Sequence, residues 1–151
     1  MLRMISYVSD SVIQEDARRS ELEKIVDTAQ RSNAMKGITG VLFSEGDHFF
    51  QTIEGEEGPL RDLYQSIEND HRHQGLNKLV DEPIPERAFA DWSLDTFYLE
   101  SPELVNPETI KHLTSLYVQN IGVDPAGLVE FVKKMIDEMD TFKILRTPYT
   151  P

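Results

Sequence analysis

The stretch Phe49-Phe50-Gln51-Thr52-Ile53, followed by Glu54-Gly55-Glu56, decides how this chain folds. Aromatic and β-branched residues around one glutamine predict a core strand, and the acidic residues flanking a glycine predict a turn after it. A buried amide without a partner costs about 1–3 kcal/mol, so we expect a polar group to face Gln51. The candidates are Tyr7 on the first predicted strand, Asn33 near the end of the first predicted helix, and a bound ligand.

The first hundred residues predict a series of strands and helices. Apolar side chains at every second position indicate the strands, and apolar side chains spaced three to four residues apart indicate the helices. Ser20 and Glu23 form a capping box at the start of the first helix, and Pro59 starts the second. The predicted strands cover residues 3–9, 37–43, 48–53, 76–80 and 92–99, and the predicted helices cover about 21–32 and 59–70. The order βαββαββ predicts an α+β, ferredoxin-like sandwich: a five-stranded sheet, antiparallel or mixed, with two helices on one face.

The last fifty residues have a different pattern. Asn106-Pro107 and Asp124-Pro125 each combine an N-cap residue with a proline, and each starts a strongly amphipathic segment. We therefore predict one domain over residues 1–100 and a C-terminal helical hairpin and tail over residues 101–151. The hairpin packs either on the bare face of the sheet or on another subunit.

Composition excludes several classes of function. The net charge is −12, which argues against nucleic acid and anionic membranes as partners. The absence of cysteine excludes disulfides, thiol nucleophiles and cysteine-ligated metals. The N-terminus is too short and too polar for a signal peptide, and no apolar run is long enough to span a membrane, so we expect a cytoplasmic protein.

The polar residues of the predicted core allow two interpretations. A ferredoxin-like order places the first and third strands side by side, so Tyr7 and Gln51 both point to the helix-covered face. Asn33 could reach the same space between the helices. In one interpretation Tyr7 and Gln51 bond each other inside an ordinary core and Asn33 caps its helix. In the other, the three side chains hold a ligand.

Other candidate residues carry weaker signals. Asp70-His71-Arg72-His73 offers two imidazoles without a third metal ligand at a recognisable spacing, so we interpret it as a solvated helix end. Glu54, Glu56 and Glu57 are carboxylates of the kind that acid–base catalysis uses, but in a turn they are expected to face solvent. No catalytic triad or phosphate-binding loop is present in the sequence.

Five motifs follow one another in an order that fits the predicted elements. They are Ile5-Ser6-Tyr7-Val8-Ser9, Asn33 with Gly37-Ile38-Thr39-Gly40-Val41-Leu42, Phe49-Phe50-Gln51-Thr52-Ile53-Glu54-Gly55-Glu56, Asp70-His71-Arg72-His73, and Arg87-Ala88-Phe89-Ala90-Asp91-Trp92-Ser93. Over about residues 2–98 the chain resembles the BLUF domains, blue-light sensors that bind a flavin. The resemblance implies a non-covalent flavin, FAD rather than FMN, lying between the two helices and over the sheet.

The resemblance also implies roles for individual residues. Light promotes electron and proton transfer from Tyr7 to the flavin, and the Gln51 amide then rotates or tautomerises and rearranges its hydrogen bonds. An amide suits this role because one terminus carries both a donor and an acceptor. Trp92 matches a tryptophan that modulates the output. The implied flavin-binding residues are Tyr7, Ile25, Asn33, Ile38, Gln51, Asp70, Arg72 and His73.

Two positions depart from the family pattern. Leu94 stands where many members have methionine, which affects how the fifth strand passes on the signal. Ser66 stands where relatives often have arginine or histidine, so one contact to the ribityl or phosphate part of the cofactor is missing. This weakens the basis for choosing FAD over FMN. We expect flavin binding to be retained with both departures.

The output is expected to pass to a partner protein. The resemblance implies a downstream signalling protein of unknown identity, reached through the fifth strand and the C-terminal helices, and a homo-oligomer. The residues after the sensor contain no enzyme signature, so we expect no enzymatic activity. The alternative is a small ferredoxin-like metabolic enzyme that uses Asp70, His73 and Glu54.

Overall fold

We describe the fold from a computed structural model, which defines residues 1–45 and 47–90, the backbone of 93–99, and Gly127, Val129, Glu130 and Lys133. The strands are β1 (Leu2–Ser11), β2 (Thr39–Glu45), β3 (His48–Glu56), β4 (His73–Pro83) and β5 (Ser93–Leu99), and the helices are α1 (Arg18–Lys36) and α2 (Glu57–Glu68). A short 3-10 turn, Glu15–Ala17, precedes α1. The predicted order βαββαββ is confirmed.

The five strands form one sheet in the order β4-β1-β3-β2-β5. Only β2 and β5 run parallel; the other neighbouring strands in this sheet are antiparallel. The first and third strands are therefore central neighbours, as predicted, and Tyr7 is paired directly with Gln51. This register brings the phenol and the amide to the same point on the sheet.

Helix α1 is longer at both ends than predicted. The predicted capping box is wrong, because Ser20 lies inside the helix and its Oγ donates to the carbonyl oxygen of Ala17. Asn33 is not the C-cap, because the helix continues to Lys36 and ends where Gly37 adopts a φ of 68°. The backbone N–H of Ile38 then donates to the carbonyl of Asn33 at 2.8 Å, as in a Schellman motif. A glycine in the left-handed region therefore ends this helix.

The predicted turn at residues 54–56 is also wrong. Strand β3 continues through Glu56, which is paired with Leu2 on β1. Helix α2 begins directly afterwards at Glu57 and ends at Glu68, slightly before the predicted end. Glu54 thus lies within the strand, and its carboxylate is buried and does not face solvent.

Both faces of the central strands are buried. On the face covered by α1 and α2 the core residues include Ile5, Tyr7, Ile38, Ile53, Leu60, Tyr64, Leu22, Val26, Leu42 and Phe49. The residues that alternate with them on the central strands, also buried, are Met4, Ser6, Val8, Val41, Phe43, Phe50, Thr52 and Glu54. The sheet thus packs on both sides, and the cavity described below opens on the helix side.

Trp92 and most of the predicted hairpin over residues 106–141 lie outside the described residues. Gly127, Val129, Glu130 and Lys133, which fall within the second predicted helix of that hairpin, are helical. Within the described part of the chain, no helix is long and apolar enough to cross a membrane.

Candidate ligand site between the two helices

A cavity of about 370 Å³ lies between α1 and α2 above the central strands. Its volume is within the range of about 300–1,000 Å³ that is usual for small-molecule sites, and its wall is mostly apolar. All but one of the predicted binding residues that the structure describes line it: Tyr7, Ile25, Asn33, Gln51, Asp70, Arg72 and His73. The second interpretation of the polar core, a ligand site, therefore has a physical space to occupy.

Tyr7 and Gln51 are hydrogen-bonded to each other in the wall of this cavity. The Tyr7 hydroxyl donates to Oε1 of Gln51, and the two residues are 4% and 6% exposed. Burial raises the pKa of the Tyr7 phenol, and the nearby Tyr64 and Asp70 raise it further. The phenol therefore keeps its proton at neutral pH and acts as the donor. The expected meeting of phenol and amide is confirmed, and the pair faces open space as well.

Asn33 contributes a polar atom that the described residues leave without a partner. The residue is 2% exposed, and its Oδ1 is buried with no hydrogen bond to the described part of the chain. An unpaired buried carbonyl costs about 1–3 kcal/mol, so a molecule that donates to Oδ1 from the cavity would remove that cost. The pyrimidine edge of a flavin fits this position, because its imide N–H can donate to Oδ1 and its adjacent carbonyls can accept from the amide nitrogen.

His73 is held in place because both of its ring nitrogens take part in hydrogen bonds. Nε2 lies 2.6 Å from the carbonyl oxygen of Ile67, which can only accept, and Nδ1 lies 2.8 Å from Oγ of Ser9. The imidazole thus connects β4, β1 and α2 at the cavity. It is oriented as part of the wall and has no ring nitrogen left for acid–base chemistry on a bound molecule.

Asp70 and Arg72 form an ion pair at the rim of the cavity. The carboxylate accepts bonds from the Arg72 guanidinium and from its backbone N–H, and these contacts lower the pKa of Asp70. The same pairing raises the pKa of Arg72. Because the carboxylate offsets the charge of Arg72, the guanidinium offers a bound molecule a positioned hydrogen-bond donor more than a free positive charge.

The structure adds residues to the predicted set and places one of its members elsewhere. Ile38 lies fully buried in the core cluster with Tyr7 and Ile53 and is not among the residues that line the cavity. Sequence reasoning missed Ser32 and Lys36, which line the cavity. The signal that could have found them is helical spacing from Ile25, because Ala29, Ser32 and Lys36 share its face of α1.

Glu54 lies on the opposite face of the sheet from the cavity. Adjacent residues of a strand point to opposite faces, and Ile53 packs against the helices, so Glu54 points away from them. Asp70, His73 and Glu54 therefore do not converge on one site. In addition, no group of three or more His, Cys, Asp or Glu side chains that could hold a metal ion occurs among the residues that the structure describes.

A cavity with apolar walls, an orphaned amide carbonyl and a phenol–amide pair suits a planar heteroaromatic ring. It is the arrangement expected of a flavin-binding light sensor, the class of protein that the sequence motifs resemble. Comparison with known families then gives the particular family: the sequence model described as "BLUF: Sensors of blue-light using FAD" matches residues 2–95. The chain belongs to the BLUF family, a family of photoreceptor domains that are not enzymes by themselves.

Individual relatives agree with this assignment. The chain is 33% identical over 103 residues to the blue light- and temperature-regulated antirepressor BluF of Escherichia coli (strain K12), covering 68% of this chain and 25% of that protein. It is 36% identical over 94 residues to the photoactivated adenylate cyclase subunit beta of Euglena longa, covering 62% of this chain and 11% of that protein. The chain thus spans a quarter or less of these relatives.

Solved structures give the same fold. The dark-state structure of BlrB, a BLUF protein, superposes with a TM-score of 0.72 at 27% identity and covers 88% of this chain and 96% of that chain. A bacterial light-regulated adenylyl cyclase superposes with a TM-score of 0.67 at 28% identity and covers 79% of this chain and 34% of that one. The ferredoxin-like BLUF fold is therefore shared across most of this chain.

Proposed function

We propose that Tyr7 and Gln51 are the photochemical switch of this blue-light sensor and that its signal passes to a partner protein. One observation carries the proposal. The Tyr7 hydroxyl donates to the Gln51 amide in the wall of a mostly apolar cavity whose volume is in the range of small-molecule sites. Blue-light sensing with a flavin is the function of the family, and the roles of the two residues are what we add for this chain.

The geometry supports a specific role for each partner. A bound flavin supplies the absorption of blue light and the electron acceptor. Loss of an electron makes a phenol strongly acidic, so the Tyr7 proton can leave along its existing hydrogen bond to Oε1 of Gln51. The amide can then rotate or tautomerise, which exchanges the donor and acceptor that it presents to its neighbours. The changed hydrogen bonds of Gln51 are the stored signal.

The remaining cavity residues hold the ring in our proposal. Asn33 binds the pyrimidine edge through its unpaired Oδ1, Ile25 provides apolar contact, and Asp70, Arg72 and His73 line the opening. We propose FAD as the resident flavin, in line with the description of the family. Heat denaturation followed by mass spectrometry of the released cofactor tests this choice: FAD is expected, and FMN would contradict it.

The output route is the second part of the proposal. We propose that β5 and the C-terminal hairpin over residues 106–141 carry the signal to a downstream protein in the cytoplasm, and that the chain forms a homo-oligomer. Burial of Met4, Val8 and Phe50 on the sheet face away from the cavity supports packing of the hairpin there. Hydrogen exchange compared in dark and lit samples tests the route, and identical exchange in both regions would exclude it.

The colour of the protein tests the proposed function as a whole. Purified protein is expected to be yellow, and blue light is expected to shift its flavin absorbance slightly to the red, with thermal recovery in the dark. A colourless protein that takes up no added flavin would contradict the proposal. The enzyme alternative finds no support in the geometry, because Glu54 lies across the sheet and both nitrogens of His73 are hydrogen-bonded.

A further inference from the structure

Glu54 is a buried carboxylate that the ligand site does not use. The residue is 0% exposed. Its Oε1 accepts hydrogen bonds from Oγ1 of Thr39 at 3.1 Å and from the backbone N–H of Phe89 at 2.6 Å. Its Oε2 accepts from the backbone N–H of Ala88 at 2.9 Å. Both oxygens therefore have donors, and bonds from backbone N–H groups to a carboxylate are stronger than those to neutral acceptors.

The segment that Glu54 binds belongs to no helix or strand. Residues 84–90 follow β4, and the N–H groups of Ala88 and Phe89 are bonded to this side chain. The Arg87 guanidinium adds bonds to Oγ1 of Thr39 at 3.0 Å and to the backbone carbonyl of Glu54 at 3.2 Å. The Glu54 carboxylate therefore helps to hold this segment on the sheet, together with the Arg87 bonds and the bond from the Ile84 N–H to the carbonyl oxygen of Leu2 at 3.0 Å.

The same segment leads into β5. The pairing of β5 with β2 begins at Ser93 opposite Gly40, next to Thr39, and the register shifts by one residue between Gly40 and Val41. Such an irregularity leaves a residue of the strand unpaired and locally disrupts the ladder, so the start of β5 is bonded to β2 less regularly than the rest of the strand. The hydrogen bonds to Glu54 lie next to the residues where the pairing of β5 with β2 begins.

Glu54 is also close in the chain to the proposed switch. Gln51 and Glu54 belong to β3, three residues apart, and pair with Leu42 and Thr39 on β2. A change in the hydrogen bonds of Gln51 acts on the same strand that holds segment 84–90. We propose that Glu54 is a positioning residue: it fastens segment 84–90 to β3 and thereby makes β5 respond when Gln51 changes. This inference rests on the proposed function.

The substitution Glu54→Gln in the full, flavin-loaded chain tests this role. Glutamine keeps the shape but places an N–H₂ donor where one of the backbone N–H groups needs an acceptor. The red shift is expected to be unchanged, because Glu54 does not line the cavity. Amide exchange at Ala88 and Phe89, followed by NMR, is expected to be about tenfold faster or more. The light-minus-dark difference in exchange over β5 is expected to be lost.

Glu56→Gln is the matched control. Glu56 is on the same strand but exposed, and it pairs with the N-terminal amine. The control is expected to keep both the exchange at Ala88 and Phe89 and the light response of β5. A purely local structural role for Glu54 predicts faster exchange at residues 88 and 89 with an unchanged light response of β5, and that result would overturn the proposal.

A second variant covers the case in which Glu54→Gln does not fold. Thr39→Val removes one of the donors to Glu54 and one of the two acceptors of Arg87, so it is expected to accelerate exchange at Phe89 and to weaken the response of β5. Wild-type exchange in that variant would also overturn the proposal. Failure of the proposed function can be distinguished from failure of the role proposed for Glu54. In the first case the wild-type chain would show no red shift, while exchange at Ala88 and Phe89 in the dark would still test whether Glu54 holds segment 84–90.

Discussion

The hydrogen bond between Tyr7 and Gln51 makes a prediction about stability that can be measured without light. In flavin-free protein, Tyr7→Phe removes the donor to Oε1 of Gln51, and Gln51→Leu removes the acceptor of the Tyr7 hydroxyl. Both groups are buried, so each single substitution is expected to destabilise the fold by about 1–3 kcal/mol. The double variant removes both polar groups together, and no unpaired atom is left.

The expected signature is therefore strong non-additivity. The double variant should be no less stable than the less stable of the two single variants, which corresponds to a coupling energy of about 1–3 kcal/mol. Urea denaturation measures it, because a loss of this size moves the midpoint by about 1 M for a domain of this size. The control pairs Gln51→Leu with Tyr64→Phe. Tyr64 packs edge to face on the Tyr7 ring with centroids 5.9 Å apart, so loss of its hydroxyl should leave the Tyr7–Gln51 bond in place, and these effects should add within about 0.5 kcal/mol. Additive effects of Tyr7→Phe and Gln51→Leu would refute the buried pair.

Three further predictions concern single positions. Burial raises the pKa of Tyr7 in the folded state, so the contribution of its protonated hydroxyl to stability is complete below pH ~10 and is lost as pH rises. Above that pH the free energy of unfolding should fall by about 1.4 kcal/mol per pH unit more steeply in wild type than in Tyr7→Phe. Equal slopes in the two proteins would contradict this. Asn33→Leu removes the unpaired carbonyl, so flavin affinity measured by fluorescence titration should fall about tenfold while the stability of the flavin-free protein is unchanged or higher; unchanged affinity would exclude the proposed contact. A Cβ at Gly40 would clash with the backbone oxygen of Thr52, so Gly40→Ala should cost about 3 kcal/mol or more by calorimetry. A Cβ at helical Gly58 would meet nothing within 4 Å beyond its chain neighbours and its own helix backbone, so Gly58→Ala should be tolerated; similar melting temperatures for the two variants would contradict the packing.

The order of the elements and the pairing of Tyr7 with Gln51 could be predicted because both depend on short-range periodicity. Strand residues alternate between faces, so the parity of positions 5, 7, 51 and 53 assigns them to one face once the strands are neighbours. The helix-covered face and the central position of the first and third strands followed from the βαββαββ order. Local patterns of this kind survive folding because they agree with the tertiary structure.

The errors occurred where distant residues decide the local structure. Glu54 resembles a turn residue until its partners Ala88 and Phe89, more than thirty positions away, are known. The end of helix α1 is an exception with a local cause, because the residues directly after Asn33 favour helix and Gly37 ends it. The unpaired oxygen of Asn33 could not be predicted either, because it depends on how the two helices surround the cavity.

The light-minus-dark absorbance spectrum of flavin-loaded wild type, measured beside flavin-loaded Gln51→Leu, tests the central claim most directly. Both proteins are expected to bind flavin. Blue light should shift the absorbance of the wild type to the red, with recovery in the dark, and should leave the spectrum of Gln51→Leu unshifted. A shift of wild-type size in Gln51→Leu, or a flavin-loaded wild type that does not shift, would contradict the role of the Tyr7–Gln51 pair.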